Sequence, residues 1–109
     1  MATTFKNKNI VSIGTVPVDI LETTGAQRST VVGMSLTNLT TSFVYVTVKV
    51  EDDTSVKGHY LKDVLIPANT SLRAVNGGEK LILAPTNKIT VESSLSDSID
   101  CLLSYVEIT

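Results

Sequence analysis

Tryptophan is missing from this chain, and histidine and cysteine occur once each, as His59 and Cys101. A lone cysteine rules out an internal disulfide framework. One cysteine and one histidine far apart in sequence also leave no Cys/His set with the spacing of a zinc site. The usual general base is histidine oriented by a second group, and His59 has neither a second histidine nor a cysteine near it. Aromatics are only 5% of the chain, so ring platforms for sugars or bases are scarce. Nor is there an excess of positive charge: 9 Lys and Arg stand against 11 Asp and Glu, for a net charge of -2. The cations are scattered and form no stripe that could track a phosphate backbone, so nucleic acid is not an expected partner. No apolar run approaches the roughly 18 residues of a membrane span, and residues 1–9 contain no apolar h-region. The expectation is a soluble protein made without a signal peptide, with no membrane partner.

What is present is an apolar content of 42% in 109 residues, enough for one core. A chain of this size buries roughly 65% of the surface its unfolded form exposes and folds without disulfides or a metal. The apolar residues recur with period two. Residues 43–51 alternate strictly, with Val44, Val46, Val48 and Val50 on one face and Phe43, Tyr45, Thr47, Lys49 and Glu51 on the other. A helix would scatter these valines around its axis and restrict their β-branched side chains. Residues 29–38 repeat the pattern, placing Val32, Met34 and Leu36 on one face and Val31, Gly33, Ser35 and Thr37 on the other. The polar connection over residues 38–42 predicts that the two strands form a hairpin.

Further strands are predicted over residues 10–13 and 17–22, as two short strands or one strand bent at residues 14–17, and over residues 56–63, 71–75, 80–84, 88–93 and 99–108. They are punctuated by Asp52-Asp53, Pro67-Ala68-Asn69, Asn76-Gly77-Gly78 and Pro85-Thr86-Asn87. Residues 99–108 are apolar on both faces in part, which predicts a central strand; Cys101 within it reads as a small buried hydrophobe. The fold class is therefore all-β: a single small antiparallel β-sandwich, Ig-like or jelly-roll-like, of about seven to nine short strands with no substantial helix. Residues 10–109 form the domain. Residues 1–9 lack a strand pattern and are expected to be a flexible N-terminal arm, ordered on a partner if at all.

No catalytic, cofactor-binding or metal-ligating set emerges. Glu51-Asp52-Asp53 lacks the spaced ligands and glycine of a calcium loop and reads as a turn that uses Asp for local hydrogen bonds. Residues 76–80 are glycine-rich, but no helix follows to offer amides to phosphate. The glycosylation-like triplets at Asn38 and Asn69 read as turns. Candidate partner contacts are Phe5, Lys6 and Lys8 in the arm, Phe43 and Tyr45 opposite the valine row, and His59 and Tyr60 in the next strand. Phe43, Tyr45 and Tyr60 are the only candidate platform for a glycan; cross-strand packing or a protein-contact patch is the favoured alternative.

Several phrases resemble small β-sandwich virion proteins of tailed bacteriophages, of the marine and cyanobacterial phage type. They are Val31-Val32-Gly33-Met34-Ser35-Leu36-Thr37-Asn38, the valine strand with Asp52-Asp53, and Leu65-Ile66-Pro67-Ala68-Asn69-Thr70-Ser71-Leu72. Gly77-Gly78-Glu79-Lys80-Leu81-Ile82-Leu83 and Ile89-Thr90-Val91-Glu92-Ser93-Ser94 complete the set. The resemblance implies a non-enzymatic virion protein that decorates or cements the capsid by binding the major capsid protein. Its alternatives are a tail, baseplate, neck or fibre component bound to tail proteins, and a carbohydrate-binding adsorption module. A homo-oligomer, such as a trimer on a local threefold axis, is compatible with the pattern, as is a monomer.

Overall fold

The computed structural model describes residues 2–75 and 80–109. Among them are nine strands and no helix: β1 (Thr3–Ile13), β2 (Val18–Glu22), β3 (Arg28–Asn38), β4 (Val44–Glu51), β5 (Lys57–Ile66), β6 (Ser71–Val75), β7 (Leu81–Leu83), β8 (Lys88–Ser93) and β9 (Ile99–Ile108). They form two antiparallel sheets. The five-stranded sheet runs β1-β9-β3-β6, with β7 also on β3, and the four-stranded sheet runs β2-β8-β4-β5. The all-β sandwich expected from the period-two pattern is what the chain adopts. The Asn76-Gly77-Gly78 turn lies outside the described residues.

The inner faces meet in one core. Val44, Val46 and Val48 of β4, Ile89 and Val91 of β8, and Ile66 of β5 face Ile99, Cys101 and Leu103 of β9 and Val31, Met34 and Leu36 of β3. Each of these side chains is almost wholly removed from water, which at about 25 cal/mol per Å² of apolar surface is what drives the sheets together. β9 lies centrally, between β1 and β3, as its two-sided apolar pattern predicts.

Three expectations fail, each for a local reason. First, β3 and β4 are not a hairpin; they lie in different sheets. The connection between them crosses the sandwich because Asn38, 1% exposed, organises it. Its Nδ2 donates to the carbonyls of Ser42, Ile66 and Pro67 at 2.8, 3.1 and 3.1 Å, and its Oδ1 accepts from the Thr40 amide and hydroxyl at 2.9 and 2.8 Å. Leu39 N donates to Ser98 O at 2.8 Å, which ties the crossing to the five-stranded sheet. A buried amide that satisfies this many groups substitutes for a ladder.

Second, Val32 points outward and Val31 inward. The pairing of β3 with β9 shifts between Val31 and Gly33, so a bulge at Val32 resets the phase and puts Val31 and Met34 on the same side. Third, Thr3–Asn9 is not without a strand partner. It continues β1 along β9 in unbroken register from Thr3 opposite Ile108 to Ile10 opposite Cys101. Its polar side chains hide the pattern because Thr3 to Asn9 is exposed on both faces, where no second sheet demands alternation. A register shift between Ile10 and Ile13, with Ser12 at φ 56°, brings Ile13 back into the core.

Candidate interaction surface

With the inner faces consumed by the core, the two outer faces and the sheet edges remain. β9 places Cys101, Leu103 and Tyr105 inward, so Leu102, Ser104 and Val106 face out. The cross-strand register continues that face on both sides: Val106 opposes Phe5 of β1 and Thr30 of β3, and Thr30 opposes Ile82 of β7. One row thus crosses four strands as Ile82, Thr30, Val106 and Phe5. Phe5 is 82% exposed and Ile82 70%. Val32, pushed out by its bulge, and Leu102, 51% exposed, widen the row into a patch. Phe5, Lys6, Val32, Ser104, Tyr105 and Val106 line a shallow apolar groove. Contiguous exposed apolar surface of this kind is uncommon on a monomer and marks a contact site.

The outer face of the four-stranded sheet is charged. Lys49 Nζ lies 3.7 Å from Glu92, Lys57 Nζ 3.9 Å from Glu51, and Lys88 Nζ 3.8 Å from Asp19. At one end, Phe43 and Tyr45 meet edge to face, with centroids 5.7 Å apart and planes at 81°, and Leu65 stands opposite Tyr45. Rings at right angles offer no common plane for a sugar to stack on. Tyr60 does not join them: it is half-buried, and its hydroxyl donates at 3.0 Å to the carbonyl of Ala74 in the other sheet. The three aromatics that were the only candidate glycan platform therefore do not share one surface, because Tyr60 turns inward beside a register shift in the β4–β5 pairing.

The remaining candidates divide in the same way. Lys6 and Lys8 project from β1 on the side opposite to Phe5, and Lys6 donates to Glu107 Oε1 at 2.9 Å, which raises its pKa. His59 is exposed on β5 opposite Lys49. Asp52 closes the β4–β5 turn: its Oδ1 accepts from Thr54 N, Thr54 Oγ1 and Val56 N at 2.9, 2.7 and 3.1 Å, which lowers its pKa. Among the described residues no three His, Cys, Asp or Glu side chains are grouped to hold a metal ion. Burial pushes the Cys101 thiol up to about 12, so it stays protonated and inert in the folded state. Ile82, Leu102, Val106 and Val32 were missed as surface residues. The available signal was the two-sided apolar pattern of residues 99–108, which marks a central strand but does not say that its outer side lacks a covering layer.

No family model matches the chain, and no curated protein matches it in sequence. Among solved structures it is similar to a subunit of Bacillus endospore appendages, described as a family of disulfide-linked pili. The identity is 8% and the TM-score 0.53, over 100% of this chain and 91% of that one. It also aligns with part of an infectious bursal disease virus protein of the Gx strain. There the identity is 8% and the TM-score 0.49, over 95% of this chain and 32% of that one. The likeness to the appendage subunit is one of fold.

Proposed function

We propose that the chain is a non-enzymatic structural protein of a virus particle: a decoration or cement protein of a tailed-bacteriophage capsid, seated on the major capsid protein. The observation that carries this reading is the apolar row on the outer face of the five-stranded sheet, with Phe5, Val32, Ile82 and Leu102 exposed around half-buried Val106. That face is open, apolar along this row and backed by the packed core, which suits a broad protein contact better than a small ligand. Lys6 and Lys8, on the other side of β1, and Phe43, Tyr45 and His59, at the four-stranded sheet, supply secondary contacts away from this face, and neither nucleic acid nor membrane is a partner. Contacts of this size are individually weak. A copy that bridges neighbouring capsid subunits makes its second contact at a high effective concentration, and avidity gains of about 10² to 10⁴ follow without a further hot spot.

The sandwich similar to this one in the Bacillus appendages belongs to disulfide-linked pili. Here the sole cysteine is buried, so attachment through the folded surface is non-covalent. A tail, baseplate or neck position is the second reading, and the resemblance in sequence favours it equally. Copy number in purified particles separates the two. Quantitative mass spectrometry that finds the chain in amounts comparable to the major capsid protein supports the capsid reading. A few copies located at one vertex by image reconstruction would move it to the tail, and absence from particles would overturn both.

A further inference from the structure

We infer that β1 is a self-pairing edge: two copies join β1 to β1 in antiparallel fashion about a twofold axis through Phe5, making one continuous sheet. This goes beyond the capsid reading, since it concerns the edge of the five-stranded sheet and not its outer face.

The hydrogen-bond phase of β1 identifies the free groups. Ala2 N donates to Thr109 O at 3.2 Å and Thr109 N to Ala2 O at 3.0 Å, so Ala2 and Thr109 exchange both bonds. In an antiparallel ladder such pairs alternate, and the register is unbroken from Thr3 to Ile10. Thr4, Lys6 and Lys8 therefore bond to β9. Thr3, Phe5, Asn7 and Asn9 aim their amides and carbonyls at the opposite edge, where no strand lies among the described residues.

An unpaired edge of this length invites a strand, and the lysines restrict which one. An axis at Lys6 sets Lys6 against Lys6 of the second copy, and an axis at Lys8 does the same for Lys8. An axis at Asn7 sets Lys6 against Lys8. Like charges directly opposite each other oppose pairing. With the axis at Phe5, Lys6 meets Thr4 and Lys8 meets Ala2, while Thr3 meets Asn7 and Phe5 meets Phe5. Every free amide and carbonyl of Thr3, Phe5 and Asn7 then finds a mate. Axes farther along the strand run into the irregularity between Ile10 and Ile13. The apolar row gains continuity as well, because the order Ile82, Thr30, Val106, Phe5 runs on into the second copy in reverse. A twofold contact of this kind uses up the β1 edge on both copies, so pairing through β1 stops at two.

The test is register-specific. In the proposed pair, Thr4 stands opposite Lys6 of the second copy at a non-hydrogen-bonded position, where Cα atoms approach to about 4.5 Å, within the range of a disulfide. Thr4→Cys and Lys6→Cys chains are prepared separately and mixed under mild oxidation, with folding checked by thermal melting; Cys101 is buried and stays silent. A covalent dimer that forms in the mixture and not in either variant alone is the expected result. Equal linkage in all three samples, or none in any, overturns the proposal. Sedimentation over a concentration series into the millimolar range supplies a second readout. The unmodified chain should dimerise and Phe5→Glu, which sets two carboxylates face to face on the axis, should remain monomeric. A chain that stays monomeric throughout overturns the edge pairing and leaves the capsid reading untouched.

Discussion

The two outer faces of this sandwich are built from strands of the same kind over the same core, yet they treat water differently. On the four-stranded sheet, outward positions carry Lys49, Glu51, Lys57, Lys88, Glu92 and Asp19, arranged so that opposite charges are neighbours. On the five-stranded sheet, the corresponding positions of β9, β7 and β1 carry Leu102, Val106, Ile82 and Phe5. Exposed ion pairs contribute about 0–1 kcal/mol each to stability, so the charged face is best understood as one that keeps solvent and refuses neighbours. The exposed apolar side chains contribute little to the folded monomer while water covers them. Their free energy is realised only when something else covers them, and for that reason function is assigned to their face.

The largest effect is expected where the two sheets are held together. Asn38→Ala orphans the carbonyls it serves, at about 1–3 kcal/mol for each buried group left unpaired, and urea denaturation should show the loss in the midpoint. Both faces should then lose definition together. A variant as stable as the parent would mean that the crossing is held by other contacts.

Next comes the face itself. Ile82→Lys combined with Leu102→Lys should leave the melting temperature within a degree or two and strongly reduce occupancy on particles. If Lys49→Ala and Glu92→Gln do the same, the contrast between the faces carries no functional meaning. Salt sharpens this further: attachment through an apolar face should persist as ionic strength rises, whereas attachment through the charged face should weaken steeply. On the charged face, Lys49→Ala should shift stability by at most about 0.5 kcal/mol, measurable by the same urea titration.

The smallest effect concerns Asp52. Its folded-state pKa is depressed, first by the Thr54 hydroxyl and then by the Val56 and Thr54 amides. The stabilisation it gives is therefore present above the ordinary carboxylate pKa and is lost as pH falls through the lowered folded value. An NMR titration of its carboxyl carbon should place the midpoint below the ordinary carboxylate range, with loosening of the β4–β5 turn confined to strongly acid solution.

Much of this was legible in the chain. Val44, Val46 and Val48 announced their strand and its buried side, residues 99–108 announced a central strand, and Cys101 was read correctly as core. Val32 was not legible, because a bulge makes period two restart and leaves no mark in the local sequence. The strand over Thr3–Asn9 was not legible either: it faces water on both sides, and alternation is imposed only where one side is buried. Of the candidate contacts, Phe5 and Tyr45 are exposed, while Tyr60 is a strut between the sheets.

The sequence by itself determined the period of the strands, their approximate ends and the residues that must leave water, because these depend on side-chain chemistry and on a backbone that alternates every residue. Only the tertiary structure decided which strands share a sheet, that β3 and β4 part company at Asn38, and that no layer of the described residues covers the outer side of β9. Those outcomes depend on long-range hydrogen bonding and on which surfaces compete for the same neighbour, and neither is written at any single position of the chain.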